Sequence, residues 1–507
     1  MFEIAVAEPG TRLQKFLDRA GLCGFPWKTA TILYTISWGW LFIVRDSLWC
    51  DDWYQFLNYD FSIQGFAPWI EIQIKVMRSF GLTFFRSITF VSFFMATVFL
   101  FGITRQISFL SLSQRRLVVL LFLLLPFNTA RVALMVYWYT IGYLVFFLAW
   151  YLLVGFSSRK SRFTACILFF LSFQLFSLLV FFLLPVSHLF FLEGRGKIRD
   201  AINWLRKNLV LISLPVVYWV SRSFFWSAGG EYHELTDNKI IGFLKFLLLV
   251  AVFLIVLSLL YRWSKQGYKK PILLLIVSFC VMFVGYVPYV FYGLVGYGFN
   301  VPVAYLVTML GRSDWFSRHQ ILQPLGLSIL LIGLVGLLPR FMKRFINQVI
   351  AAVLAASVVL NLGFGFEYVV DYAKQREVVT QLKVSGESDS ISGFTFIDQT
   401  ALLNARGRGY RYRDWQGLIS LAYDSDLQYK TDVVIETSCS PRPSLRLVLI
   451  QGPETHWQAL KNWVSDGDMG FKVTVDDTPG ACKPEMVTAE KVSGAIPILF
   501  YFTGAKG

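Results

Sequence analysis

Arg45-Asp46-Ser47-Leu48-Trp49-Cys50-Asp51-Asp52-Trp53-Tyr54 follows directly on an apolar run, Thr29 to Val44, and opens about forty mixed residues before the next such run. The stretch reads as the point where a helix has just left a bilayer. Apolar chain lies behind it, two adjacent carboxylates, Asp51 and Asp52, stand at its edge, and Trp49, Trp53 and Tyr54 surround them as in an interfacial aromatic belt. Ionisable residues at membrane depth carry a functional hypothesis by default. The plainer alternative is a set of polar residues that ends a helix.

Outward from this point the same reading extends to most of the chain. Of 507 residues 56% are hydrophobic and only 16% charged, with a mean hydropathy of +0.56, which excludes an ordinary soluble domain. Apolar runs recur at about 29–44, 84–103, 117–135, 136–156, 164–177, 178–192, 208–226, 240–261, 271–292, 320–338 and 345–366. They predict a polytopic α-helical membrane protein of about 11 transmembrane helices. Two of the divisions need argument. Residues 164–192 have basic clusters at both ends, so two short tilted crossings turning near Gln174 to Leu178 keep both clusters on one side. Asn128 and Arg131 interrupt 117–156 and predict a turn there.

Basic residues test the topology. The proposed inner segments 1–28, 105–116, 157–163, 193–207, 262–270 and 339–344 hold 22 Lys and Arg, against nine in the outer segments before residue 367. That bias predicts a cytoplasmic amino terminus and an extracytoplasmic carboxyl terminus. It also accounts for the net charge of +15 without nucleic acid, because the charges lie in short loop clusters and form no single patch. Residues 1–28 carry Arg12, Lys15, Arg19 and Lys28 without an apolar core, so the first spanning helix is expected to serve as the targeting signal. The six Cys have no CxxC spacing, which excludes a conventional zinc or thioredoxin motif, and the lack of any Asn-x-Ser/Thr sequon favours a bacterial origin.

The organisation predicted is a cytoplasmic segment 1–28, a transmembrane unit 29–366 whose first outer loop is 45–83, and an extracytoplasmic α/β domain 367–507. In the first outer loop, Trp69 to Phe80 sets Glu71, Lys75 and Arg78 on one face, which predicts an interfacial or bundle-packed amphipathic helix. From Glu367 the long apolar runs stop. Alternations at 393–397, 432–435, 445–450 and 471–475 predict strands, with a helix at 455–464. Cys439 and Cys482, alone in this domain, are expected to form a disulfide in an oxidising compartment, while Cys23, Cys166 and Cys280 stay reduced.

The predicted topology gathers further polar residues on the outer side. Arg312 and Arg318, with His319, stand just ahead of a late helix and suit a lipid phosphate, since the arginine fork matches phosphate oxygens. Snorkelling, or pairing with Asp314, is the plainer alternative. Arg131, set among Phe127, Val132 and Leu134, needs a carboxylate or an anionic ligand. Glu231, His233 and Glu234 have only weak metal-ligand spacing and read as a solvated loop.

An acidic pair after the first helix, a following interfacial helix, paired short helices around Ser172-Phe173-Gln174, Arg318-His319 before a late helix and an outer carboxyl-terminal domain together resemble the GT-C superfamily of integral-membrane glycosyltransferases. Within it, the pattern is similar to bacterial inner-membrane transferases that modify O-antigen or other surface glycans. The resemblance covers most of 29–366 and leaves the carboxyl-terminal domain unmatched. It implies a polyprenyl-phosphate-linked sugar donor in the membrane lipid, a glycan, lipid or protein acceptor, and Asp51 or Asp52 as base or metal ligand. Arg131, Arg312, Arg318 and His319 would hold the donor phosphate. Whether a divalent cation (Mg or Mn) takes part stays open at this point, since the arginines supply positive charge without one. Rival classes are a lipid-glycan transporter or flippase, a glycan polymerase or ligase, and a non-catalytic membrane scaffold.

Overall fold

Helix ends follow from the sequence through local capping. Ser111 and Gln114 form a reciprocal capping box that starts helix α3 (Leu112–Leu124), and the Ser158 hydroxyl accepts the Ser161 N–H to start α5 (Arg159–Ser172). The computed structural model describes residues 22–45, 47–49, 52, 79–193, 198–225, 270–291, 322–338, 345–386, 393–405, 410, 412–423, 434–436 and 445–476. In chain order the helices around those two are α1 (Trp27–Trp38), α2 (Leu82–Arg105), α4 (Tyr137–Gly155), α6 (Phe176–Phe181), α7 (Leu183–Glu193), α8 (Ile198–Lys207), α9 (Leu209–Phe225), α10 (Lys270–Phe291), α11 (Leu322–Leu337) and α12 (Ile346–Ser385). The fold is mostly helical, with one small sheet.

Among the described residues three helices, α2, α4 and α12, are long and apolar enough to cross a membrane, which corrects the eleven crossings expected from apolar runs. The reason is that an apolar run marks burial and does not guarantee one unbroken helix. Run 29–44 is a 12-residue helix followed by a 3-10 turn, Gly39–Phe42. Run 117–135 ends its helix at Leu124, ahead of Pro126, and continues as 3-10 turns Thr129–Val132 and Leu134–Val136. Residues 164–192 divide among α5, α6 and α7, with the break at Phe173 to Leu175. Run 240–261 lies outside the described residues.

The bundle core is aromatic, as 17% Phe, Trp and Tyr in the sequence leads one to expect. Phe93 of α2 stacks on Phe122 of α3 at 5.5 Å and 6°, and Phe146 of α4 meets Phe169 of α5 edge-on at 5.4 Å. Glycines bring α10 and α11 together: a Cβ on Gly333 would stand 2.8 Å from Leu275, and Ser278 Oγ donates to the Gly326 carbonyl at 2.7 Å.

The two ends of the bundle differ. At one, the Arg116 Nε donates to the Gly24 carbonyl at 2.7 Å, and Arg162 at the start of α5 pairs with Glu193 at the end of α7. Lys207 also approaches Glu193, at 3.9 Å. The chain through α5, α6 and α7 therefore goes out and comes back, which brings Arg162 and Lys207 to Glu193 at the same end. At the opposite end lie Ser47 to Trp49, Asp52, Arg86 at the start of α2, and the turns before α4.

Helix α12 links this end to the sheet. Its 40 residues span about 60 Å, roughly twice the thickness of a bilayer core, and it runs unbroken across Glu367. Beyond it come β1 (Gly393–Asp398), α13 (Tyr412–Tyr423), β2 (Val434–Glu436), β3 (Leu445–Gln451), α14 (His456–Asp466) and β4 (Lys472–Asp476). The order is β2-β1-β3-β4, with β1 parallel to both neighbours and β4 antiparallel to β3. Register sets Phe396 beside Val448 and Val448 beside Val475. With Trp415, Leu418, Ile419 and Ala422 of α13 and Val378 and Leu382 of α12, they form one apolar cluster. Leu48, Phe85, Leu134, Tyr137 and Trp138 of the bundle belong to the same cluster. Sheet and bundle share a core.

Within the sheet unit His456 is 7% exposed, and burial pushes its imidazole down to about 4, partly opposed by a hydrogen bond with the Leu403 backbone. A lowered folded-state value means that the unfolded chain takes up the proton first as pH falls. The neutral ring's contribution is complete above pH 6.5 and is lost progressively towards pH 4, about 3 kcal/mol in all. Thermal melting of the purified chain between pH 7 and 4 is expected to fall more steeply than in His456→Phe; equal slopes would refute the assignment.

Candidate functional site

The bundle end that meets the sheet collects the polar residues of interest. Asp52 is fully buried, and its Oδ2 accepts two backbone N–H groups, from Trp49 at 3.2 Å and from Leu134 at 2.8 Å. The Asp52 N–H returns a bond to the Trp49 carbonyl at 3.1 Å. A short loop is thereby closed on itself and pinned to the 3-10 turn ahead of α4. This explains why an acidic residue can sit in so apolar a place: its charge meets oriented amide dipoles.

Arg131 lies on the preceding 3-10 turn and is 1% exposed. Its guanidinium centre stands 3.4 Å from the Trp38 ring centroid and 4.1 Å from that of Phe93, a cation held between two aromatic faces. Its Nε, NH1 and NH2 have no hydrogen-bond partner among the described residues. Of the two partners that the sequence led us to expect, a carboxylate or an anionic ligand, no carboxylate bonds it among the described residues. Three residues earlier, Asn128 adopts a left-handed conformation (φ 57°) with both amide atoms buried and unpartnered among the described residues. Five polar atoms thus face inward over one turn of chain, in a protein interior that normally pairs such atoms.

Arg86 is the second buried guanidinium. Its NH2 donates to the Ser47 carbonyl at 2.8 Å and to Ser47 Oγ at 3.2 Å, and the group lies 5.2 Å from the Trp49 ring. From α12, Gln375 Nε2 donates to the Leu48 carbonyl at 3.3 Å, and Asp371 Oδ2 accepts from Trp49 Nε1 at 3.2 Å. The same Asp371 accepts the Ala405 N–H at 3.0 Å and the Tyr410 hydroxyl. Burial first, and then the Asp371 carboxylate, push the Tyr410 hydroxyl well above its usual value, so it remains a donor. Lys374, one turn along, donates to Asp398 at 2.6 Å and to Asn404.

Two residues flagged in the sequence, Asp52 and Arg131, are brought to one end of the bundle. Asp51, Arg312, Arg318, His319, Cys439 and Cys482 lie outside the described residues, as do Glu231, His233 and Glu234. Among the described residues Cys23, Cys166 and Cys280 stand in no disulfide. Sequence reasoning missed Arg86 as a loop anchor and missed Asp371, Lys374 and Gln375 altogether. Their signal was a helical stripe at 371, 374, 375, 378 and 382, polar then apolar, in a segment read as the edge of a soluble domain. Among the described residues no three His, Cys, Asp or Glu side chains gather to hold a metal ion. The chain matches no family model, no curated protein and no solved structure.

Proposed function

We propose that this chain is a membrane glycosyltransferase, of the bacterial inner membrane, that moves a sugar from a polyprenyl phosphate to a glycan, lipid or protein acceptor on the outer face. The observation that supports this most is the hydrogen bond from the Leu134 N–H to Asp52 Oδ2, which joins positions 82 residues apart and pins the acidic loop to the turn that follows the one carrying Arg131. An acceptor hydroxyl needs a base, and a departing lipid phosphate needs a cation. In this reading Asp51 takes the proton from the acceptor hydroxyl, whose oxygen attacks the anomeric carbon. The bond to the phosphate oxygen breaks with inversion. Asp52, with one oxygen committed to two backbone amides, holds the loop. Arg131, Arg312, Arg318 and His319 receive the phosphate. The amino terminus lies in the cytoplasm and the sheet unit in the periplasm, in line with the basic bias.

Arg131 supplies the test. A buried guanidinium whose three nitrogens lack a partner among the described residues is a liability to stability, since each unpaired polar group costs about 1–3 kcal/mol. Contact with Trp38 and Phe93 offsets about 2 kcal/mol. Arg131→Met is therefore expected to melt higher than the parent while binding polyprenyl-phosphate sugar at least about tenfold more weakly. A variant that melts lower and binds the donor unchanged would assign Arg131 to packing alone.

A further inference from the structure

Three consecutive residues of the first loop are each held by a different side chain. Arg86 grips Ser47, Gln375 grips the Leu48 carbonyl, and Asp371 grips the Trp49 indole. Two of these three anchors come from α12, beyond the point where its sequence ceases to be apolar. Asp371 and Trp49 are 2% and 3% exposed, so the contact is sealed from water. The same carboxylate takes the Ala405 N–H and the Tyr410 hydroxyl from the sheet unit. Trp49 in turn donates its backbone N–H to Asp52. One unbroken series of bonds therefore runs from the sheet unit through Asp371 and Trp49 to the acidic loop and on to Leu134.

We infer that the carboxyl-terminal sheet unit sets the geometry of the acidic loop, with Asp371 and Gln375 as positioning residues. Simple adhesion does not require this arrangement. The apolar cluster formed by Leu48, Phe85, Tyr137, Phe396 and Trp415 already joins the two parts, and a buried carboxylate adds a desolvation cost that apolar packing avoids. What the polar contacts add is direction: a carboxylate with three donors fixes where the Trp49 indole stands, and through it the backbone that leads into Asp51 and Asp52. Catalytic geometry tolerates little displacement, so a loop held from three sides suits a base that must meet a hydroxyl. The catalytic half of the inference rests on the transferase reading; the mechanical half does not.

Trp49→Phe removes the indole N–H and one of the two fused rings while keeping an aromatic ring against Tyr368, which Trp49 meets edge-on at 5.1 Å. Asp371→Asn weakens the same contact from the other side. The test uses the full-length protein in detergent or nanodiscs, with hydrogen–deuterium exchange followed by peptide. Expected is at least about tenfold faster exchange at the Trp49, Asp52 and Leu134 amides, with α2 and α4 unchanged. The turnover number for sugar transfer should fall about tenfold, with the donor KM within about twofold. Unchanged exchange at those amides in Trp49→Phe would overturn the inference, and so would acceleration spread through α2 and α4. Local acceleration with unchanged turnover would overturn the catalytic half. A parent protein without any transfer from a polyprenyl-phosphate sugar would refute the proposed function instead, and exchange alone would then decide the mechanical half.

Discussion

Asp51→Asn is expected to lower the rate of sugar transfer by about 10²–10⁴-fold while changing donor affinity little. Asparagine keeps the size and the hydrogen-bonding capacity of the side chain and removes its charge and basicity. If Asp51 accepts the acceptor's proton, the loss is about 3–5 kcal/mol of transition-state stabilisation that the ground state does not feel. Asp52→Asn provides the contrast. Its remaining carbonyl oxygen can still accept the Trp49 and Leu134 amides, so the loop stays closed and turnover falls far less. Asp52→Ala removes that acceptor and should cost more than Asp52→Asn. The measurement is turnover of purified protein on lipid-linked sugar. Wild-type rates in both Asp51→Asn and Asp52→Asn would end the catalytic reading of this loop, and a larger loss in Asp52→Asn than in Asp51→Asn would exchange the two roles.

That ordering of two adjacent carboxylates shows what a sequence displays and what it conceals. Asp51 and Asp52 are chemically alike on paper, and both follow an apolar run. Only the partners of Asp52 assign it to the loop's structure, and the nearer partner in space, Leu134, is 82 residues away. The turn at Asn128 to Arg131 was legible because polar residues interrupt an apolar run. The return of the chain through α5 to α7 was legible because basic clusters flank it, and the contact of Arg162 with Glu193 joins the two ends. Strands β1 to β4 fall on the four alternations, since side chains that point to opposite faces in turn give a half-buried strand its period of two.

Other features had no local signature. Among the described residues the apolar runs do not each give a span, because hydropathy reports burial while Pro126, Gly39 and the Phe173 to Leu175 break determine where helices stop. The division drawn at Glu367 follows composition, but the backbone there is continuous helix, since a helix needs no apolar surface to continue once its far half packs against a sheet. Asp371, Lys374 and Gln375 look like the solvated face of a charged helix. They are buried only because the loop containing Ala405 and Tyr410 covers them on one side and Leu48 and Trp49 on the other. Nothing in their own neighbourhood of the sequence announces either cover.

The largest effect on stability is expected at the charged pair of this junction, Lys374 and Asp398, and it should be unequal between partners. Lys374 is fully buried; its Nζ donates to Asp398 Oδ2 at 2.6 Å and to Asn404, and stands 4.8 Å from the Tyr410 ring. In Asp398→Ala the ammonium stays buried with one neutral acceptor and an aromatic face. An uncompensated buried charge of this kind costs about 3–5 kcal/mol. In Lys374→Met the carboxylate left behind is 10% exposed and still accepts the Thr400 N–H at 3.0 Å and Thr400 Oγ1 at 2.8 Å on its other oxygen. That loss should be roughly half as large, since Asp398 keeps both hydrogen bonds and a path to water. The double variant Lys374→Met/Asp398→Leu leaves no charge unpaired and should recover most of the parent's stability, giving a coupling of about 2 kcal/mol or more. Hydrogen exchange in β1, β3 and α13 reads these differences where whole-protein melting could miss them. Equal losses in the two single variants, or a double variant no better than Asp398→Ala, would mean that the pair is solvated in solution and that the junction is held by its apolar cluster alone.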